Sequence, residues 1–179
     1  MKDLEGTKTQ SNLLAAFAGE CMARTKYDFY GSKAKKDGFE QISDIFYETA
    51  DNEKEHAKIW FKLLHGDMKY TEQNLFDGAE GEYLEWSDMY KKFALDAREE
   101  EFEEIAVLFE RVANIEQQHE QRYRALMDNL QNGKAFAKVE QVEWICRNCG
   151  HVHFGEQAPA QCPTCSHPQA FFELRCDNY

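Results

Sequence analysis

Glu53-Lys-Glu-His56 and Glu116-Gln-Gln-His119 each set a carboxylate and an imidazole three residues apart, and the second pair follows the first by 63 positions. On an α-helix, residues three apart share a face, so each pair can offer an oxygen and a nitrogen to one cation. A second constellation lies near the C-terminus. Cys146-x2-Cys149 and Cys162-Pro-Thr-Cys165 are separated by twelve residues. Four thiolates on two tight knuckles form a tetrahedral S4 site for iron or zinc.

Something must hold these groups in place. Residues 11–131 contain no proline and carry apolar residues at helical spacing. The pattern predicts four long helices. The first carries Leu13, Phe17, Ala23, Tyr27 and Tyr30, and the second Phe39, Ile42, Phe46, Ala50, Ala57, Trp60 and Leu64. The third carries Tyr83, Trp86, Met89 and Phe93, and the fourth Phe102, Ile105, Phe109, Ala113, Tyr123 and Met127. Helices two and four repeat one another without gaps at Phe39/Phe102, Glu40/Glu103, Ile42/Ile105, Phe46/Phe109, Ala50/Ala113, Glu53/Glu116 and His56/His119. Helices one and three repeat at an offset of 62, matching Glu20 to Glu82. A duplicated helix pair that buries its stripes makes a four-helix bundle.

Glu20, Glu53, Glu82 and Glu116 fall on the apolar stripes rather than on the wet faces, and His56 and His119 share those faces. An isolated buried carboxylate costs several kcal/mol or takes up a proton. Pairing with buried Arg or Lys is one remedy, but the stripes contain neither. Hydrogen bonding to Tyr and His in the core is a second. Metal is the third: one Glu from each of two helices, with Glu-x-x-His from each of the other two, is the inward constellation of di-iron carboxylate bundles. Hard oxygen donors with two imidazoles suit iron or manganese. Glu85 breaks the repeat, because its counterpart is Ala23. It reads either as a surface neighbour of the site or as a ligand bound in one oxidation state.

All three prolines lie after residue 150, and every cysteine except Cys21 lies after residue 145. The domains expected are a helical bundle over 1–133, a linker over 134–143 and a metal-stapled domain over 144–179. "VEWIC" and "AFFEL" read as short strands around the thiolates, and a fold of this size needs such a staple. A zinc ribbon that merely holds the tail together is the plainer reading of the same cysteines. Cys21 and Cys176 are left over as plain thiols. A net charge of −12 argues against nucleic acid and anionic membranes as partners. No apolar run reaches the length of a membrane span. Six cysteines with metal-ligand spacing suit a reducing compartment, so a cytoplasmic location is expected.

With "AGECMAR" around Glu20, "EKEH", "GEYLEWSDMY", "EQQH" and both cysteine knuckles in hand, the chain resembles the rubrerythrin family over nearly its whole length. The resemblance implies a mainly α, ferritin-like four-helix bundle with a small C-terminal rubredoxin-like, β-rich metal domain. It implies two iron ions in the carboxylate site and one iron in the four-cysteine site, where zinc can substitute. Glu53 and Glu116 would bridge the irons, with Glu20, Glu82 and His119 as terminal ligands. His56 and Glu85 would alternate on one iron, and Tyr27 and Tyr90 match family tyrosines near the site. The implied activity is reduction of hydrogen peroxide to water. Electrons would come from an NAD(P)H-linked reductase, directly or through a rubredoxin, and enter at the thiolate iron. A homodimer or higher homo-oligomer is implied. A ferritin-like ferroxidase is the alternative activity, and a zinc-stapled interaction protein is a third class.

Overall fold

The computed structural model describes residues 3–178 and divides the chain into two compact units, residues 1–69 and 70–179. The first is a helical hairpin. Helix α1 runs Lys8–Lys36 and α2 runs Glu40–His65, joined by a turn over 37–39. Thr7 caps α1 by accepting the Gln10 N–H on its side-chain oxygen. The second unit begins with α3 at Thr71–Leu84, which passes through a wide π-turn at Glu85–Met89 into α4 at Tyr90–Glu99. A turn over 100–102 leads to α5, Glu103–Gln131. The expected third helix is therefore one rod with a π-turn in its middle.

Each hairpin is closed along a seam of small residues. In the first, Ser43, Ala50 and Ala57 recur every seventh position along α2 and are buried, as are Gly31 and Ala34 on α1. Small side chains let the two backbones approach, and Gly31 shows how closely: a Cβ there would lie 3.0 Å from the Tyr47 ring. The Ser43 hydroxyl uses this proximity to donate to the Gly31 carbonyl at 2.9 Å. The second hairpin repeats the seam with Ala79, Ala94 and Ala97 facing α5, where Ala106 and Glu120 are buried.

The large apolar residues behave differently from the sequence expectation. Phe39, Ile42, Phe102 and Ile105 head the predicted stripes, yet each is close to half exposed or more, with Phe39 at 57%. Phe39 and Phe102 also sit one residue before their helices. The reason is geometric. A two-helix hairpin has one line of contact, the small seam fills it, and large side chains project beside it.

The tail forms a three-stranded antiparallel sheet in the order β2-β1-β3, from β1 (Ala137–Cys146), β2 (Val152–Gln157) and β3 (Phe172–Leu174). Trp144, Cys146, Ala158, Cys162 and Phe172 make its core. Cys146 pairs with Phe172 and Ile145 with Val152. Residues 137–143, read above as linker, are strand and leave 132–136 between helix and sheet. The alternation of apolar and polar residues runs back from Trp144 only to Val142, and the register shifts between Ala137 and Val142; within this stretch the Lys138 ammonium donates to Asn129 and to the Lys134 carbonyl. Among the described residues, no helix is long and apolar enough to cross a membrane.

Ser43→Ala removes the buried hydroxyl that ties α2 to α1. It should lower the stability of the first hairpin by about 1 kcal/mol, read as a shift in urea midpoint followed by circular dichroism. An unchanged midpoint would show that the hydroxyl adds nothing beyond the packing of the seam.

Candidate metal centres

The hairpins aim the Glu and His residues through helical geometry. In the first unit α1 brings Glu20 beside Glu53 and His56 of α2, and one ligand atom from each lies within 4.8 Å of the others. His56 Nδ1 is 2.7 Å from Glu53 Oε2 and 3.9 Å from Glu20 Oε2. The second unit repeats this with Glu82, Glu116 and His119. There His119 Nδ1 is 2.6 Å from Glu116 Oε2 and 3.6 Å from Glu82 Oε2. The glutamates are the inner members of each set: the side chains of Glu53 and Glu116 are 16% and 14% exposed, against 52% for His56.

Aromatic side chains pack with matching ring spacings in the two units. Tyr27, Tyr30 and Phe46 form a triad in the first unit, with Tyr27–Phe46 centroids 6.0 Å apart and Tyr30–Phe46 5.6 Å apart. In the second, Tyr90–Phe109 and Phe93–Phe109 stand at the same 6.0 and 5.6 Å. Glu20 matches Glu82 at an offset of 62, but Tyr27 matches Tyr90 and Tyr30 matches Phe93 at 63. One extra residue therefore lies between them in the second unit, and the π-turn absorbs it. Such turns accompany functional positions in helices. Glu85 opens this turn. It belongs to neither three-residue cluster, yet its charge is felt by both Glu82 and Tyr90.

The electrostatics follow from crowding. Burial pushes the Glu82 carboxyl above its ordinary range, reinforced by the charge of Glu116 and a hydrogen bond with it. Burial also raises the Tyr90 phenol, helped by Glu85, Glu116 and Glu82. Glu120 answers the same problem differently. Burial works to raise it, but Arg124 Nε donates to it at 2.6 Å and Trp86 Nε1 at 2.7 Å, and the net shift is downward. Arg124 also donates to Glu80 at 2.9 Å. This network ties the π-turn to α5. Sequence reasoning missed it, although a signal existed: Glu120 occupies the seam position filled by Ala57 in the first half, and Trp86 stands where the repeat has Arg24.

The four thiolate positions also come together. Cys146 and Cys165 sulfurs are 3.8 Å apart, and Cys149 and Cys162 sulfurs 3.7 Å. Sulfurs at about 2.3 Å around one tetrahedral metal ion have edges of about 3.8 Å, so the spacing suits such an ion and is far too long for a disulfide. The two knuckles share a backbone plan. Cys146 N–H donates to the His151 carbonyl and Cys162 N–H to the His167 carbonyl, while Gly150 and Ser166 donate back to Cys146 and Cys162. Gly150 and Ser166 take the left-handed conformation, at φ 76° and 60°. The backbone N–H of His167 leads in holding the Cys165 thiol down to about 6. Cys149 accepts the corresponding N–H of His151, but its thiol neighbours and burial push it up to about 12.

The donors fit iron in both places: carboxylate oxygens with imidazole in the hairpins, and four sulfurs in the tail. Together they define a carboxylate-bundle metalloprotein with an appended thiolate metal domain. Residues 11–127 match the family model described as Rubrerythrin, and residues 144–173 match the one described as the rubrerythrin rubredoxin-like domain. The chain belongs to the rubrerythrin family. Rubrerythrin of Nitratidesulfovibrio vulgaris is 48% identical over 186 residues, covering 97% of each chain. Rubrerythrin-1 of Clostridium acetobutylicum is 45% identical over 195 aligned positions, covering the whole of both. A solved structure titled "Partially Reduced State of Nigerythrin" is 31% identical, covers 97% of this chain and 89% of that one, and has a TM-score of 0.37.

Glu82 gives a pH test on metal-free protein. Its folded pKa is raised, so the folded state holds more protons than the unfolded chain. The resulting stabilisation is present at and below the ordinary carboxylate range and is lost as pH rises through the raised value. Glu82→Gln removes that titration. Between pH 4 and pH 7 the variant should lose less stability than the parent in urea melts with chelator present. Parallel curves would mean that Glu82 is not crowded.

Proposed function

We propose that the protein is a hydrogen peroxide reductase, consuming H2O2, two protons and two electrons and releasing two waters. The observation that carries this reading is the pair of Glu–Glu–His clusters in register with the internal repeat. Such a pair can hold two irons side by side, and two electrons are what cleavage of one O–O bond requires. When bound, the paired irons supply those electrons and a Lewis-acid face, and the thiolate iron supplies single electrons.

The chain's own residues do the remainder. Glu53 and Glu116, with side chains 16% and 14% exposed, would be shared between the two irons, and Glu20, Glu82 and His119 would each hold one of them. His56 and Glu85 would alternate as ligands of one iron, the neutral imidazole suiting the ferrous ion and the anionic carboxylate the ferric ion. The π-turn gives Glu85 its place. Tyr90, kept protonated by burial and by three carboxylates, offers a hydrogen-bond donor at the site, with Tyr27 as its counterpart in the first hairpin. Glu85, when not holding iron, would serve as a proton donor to peroxide oxygen.

The four cysteines receive electrons from an NAD(P)H-linked reductase, directly or through a rubredoxin. This division keeps the bundle over 1–133 for peroxide and the tail over 144–179 for electron entry. Thiolate ligation supports a reducing compartment such as the cytoplasm.

Two variants test the assignment. Glu85→Ala should keep two irons in the bundle and slow peroxide turnover roughly 10- to 100-fold, as loss of a ligand-tuning group does. Cys149→Ser changes an exposed thiolate and spares the tail core. Chemically reduced, it should still consume one peroxide per di-iron site. Steady-state turnover fed by the reductase should collapse. Full steady-state turnover in Cys149→Ser would remove the tail from the electron path.

A further inference from the structure

We propose that Glu120 is a positioning residue: by accepting the Trp86 indole N–H it fixes the extra residue of the second hairpin at Glu85–Met89, and with it the place from which Glu85 works. The proposal rests on the reading of Glu85 as a ligand of one iron.

A widened turn needs something to hold it where it is. Its hydrogen bond runs five residues back, from the Tyr90 N–H to the Glu85 carbonyl, and such turns are rare. The two ends of the rod are fixed by packing. A Cβ at Gly78 would lie 3.3 Å from the Tyr123 ring of α5, and Ala94 and Ala97 close on Ala106. One residue of register must be lost between those ends, and the seam alone does not say at which turn. Residues before the turn keep the frame of α3 and those after it the frame of α4, and one residue of register is about 100° of rotation. Moving the turn one way would swing Glu85 round the rod, and moving it the other way would swing Tyr90.

Trp86, the second residue of the turn, is where the rod is pinned. Its Nε1 donates to Glu120 Oε2 at 2.7 Å. Tyr83, before the turn, meets the indole edge-on with centroids 5.5 Å apart. Lys91, after the turn, sets its ammonium 5.2 Å from the ring centroid. Glu120 is only 8% exposed. Arg124 Nε donates to it at 2.6 Å and reaches back to Glu80 on α3 at 2.9 Å. A buried carboxylate held by such a network is a rigid post for the indole.

The internal repeat separates this role from ordinary core packing. Trp86 and Glu80 have Arg24 and Ala18 as counterparts at an offset of 62, and Glu120 and Arg124 have Ala57 and Phe61 at 63. The first hairpin thus lacks all four members, and its α1 runs as an unbroken α-helix over Lys8–Lys36. Ala57 is buried in that seam without a carboxylate, so closing a hairpin of this kind does not require Glu120. The network, the widened turn and Glu85 occur together in one half and are absent together from the other.

Two substitutions test this in the full chain. Trp86→Phe keeps a ring and removes the donor, and Glu120→Ala installs the residue that the first hairpin uses at this place. In zinc-loaded protein followed by NMR, the Tyr90 amide hydrogen should exchange about tenfold faster in either variant, with the amides of α2 unchanged. With iron bound, Glu85→Ala should raise the midpoint potential of the pair, because a carboxylate favours the ferric ion. Trp86→Phe and Glu120→Ala should each raise it too, and should add nothing in the Glu85→Ala background, where the positioned group is gone. General loosening, or disturbance of the adjacent His119, would instead shift the potential equally with and without Glu85. Such an additive shift, or unchanged Tyr90 exchange in both variants, overturns the proposal. Should Glu120→Ala lose helicity, Trp86→Phe decides on both readouts. A Glu85→Ala protein with the parent's potential would count against Glu85 as a ligand, and Tyr90 exchange would still decide whether Glu120 holds the turn.

Discussion

Close approach of two helices is the constraint on which the rest depends. Ser43, Ala50 and Ala57 repeat every seven residues along α2, and Gly31 and Ala34 meet them from α1. With no bulk on that line, the backbones come near enough for Glu20 on one helix to share a point with Glu53 and His56 on the other. The same seam displaces the aromatic and branched residues to the flank, where Tyr27 and Tyr30 pack on Phe46, and Tyr90 and Phe93 on Phe109. Ligand geometry and exposed apolar surface are thus two results of one choice of small side chains.

Carboxylates buried in one unit reach three different settlements. Glu120 is answered with cations and donors, and Arg124 and Trp86 hold it ionised. Glu82 is left beside another carboxylate, with its proton retained more readily than usual. Glu85 rides on a turn whose backbone already departs from the α-helix. A protein that only needed stability would treat all three like Glu120. Crowding like charges around Glu82 makes sense where a cation is the intended partner.

Much of this was legible in the sequence. Glu-x-x-His spacing, the gap-free repeat from Phe39 to His56, the match of Glu20 to Glu82 and the cysteine knuckles located every clustered ligand, because helical and knuckle geometry fix those relations over a few residues. Strand pairing of "VEWIC" with "AFFEL" was legible for the same reason. The burial of the stripes was not. Periodicity tells which residues share a face, but the small seam and the large stripe lie on adjacent faces, and both read as core. The start of β1 was missed because Ala137–Glu143 alternates weakly beside the strong signal of Trp144. Glu120 was hidden by its neighbour: one residue past His119, it lies outside the Glu-x-x-His pair, although its heptad position belongs to the seam.

The π-turn carries a wider consequence. Adding one residue to a helix ordinarily rotates everything downstream by about 100° and would swing Tyr90, Phe93, Ala94 and Ala97 off their partners. Here the extra residue is spent within a single widened turn, and the downstream triad keeps the spacing of its twin to within 0.1 Å at each centroid distance. A duplicated molecule can thereby gain a chemically distinct residue in one half while the aromatic triad below it keeps its spacing. One residue of slack is enough to give the second half a carboxylate, Glu85, where the first has Ala23.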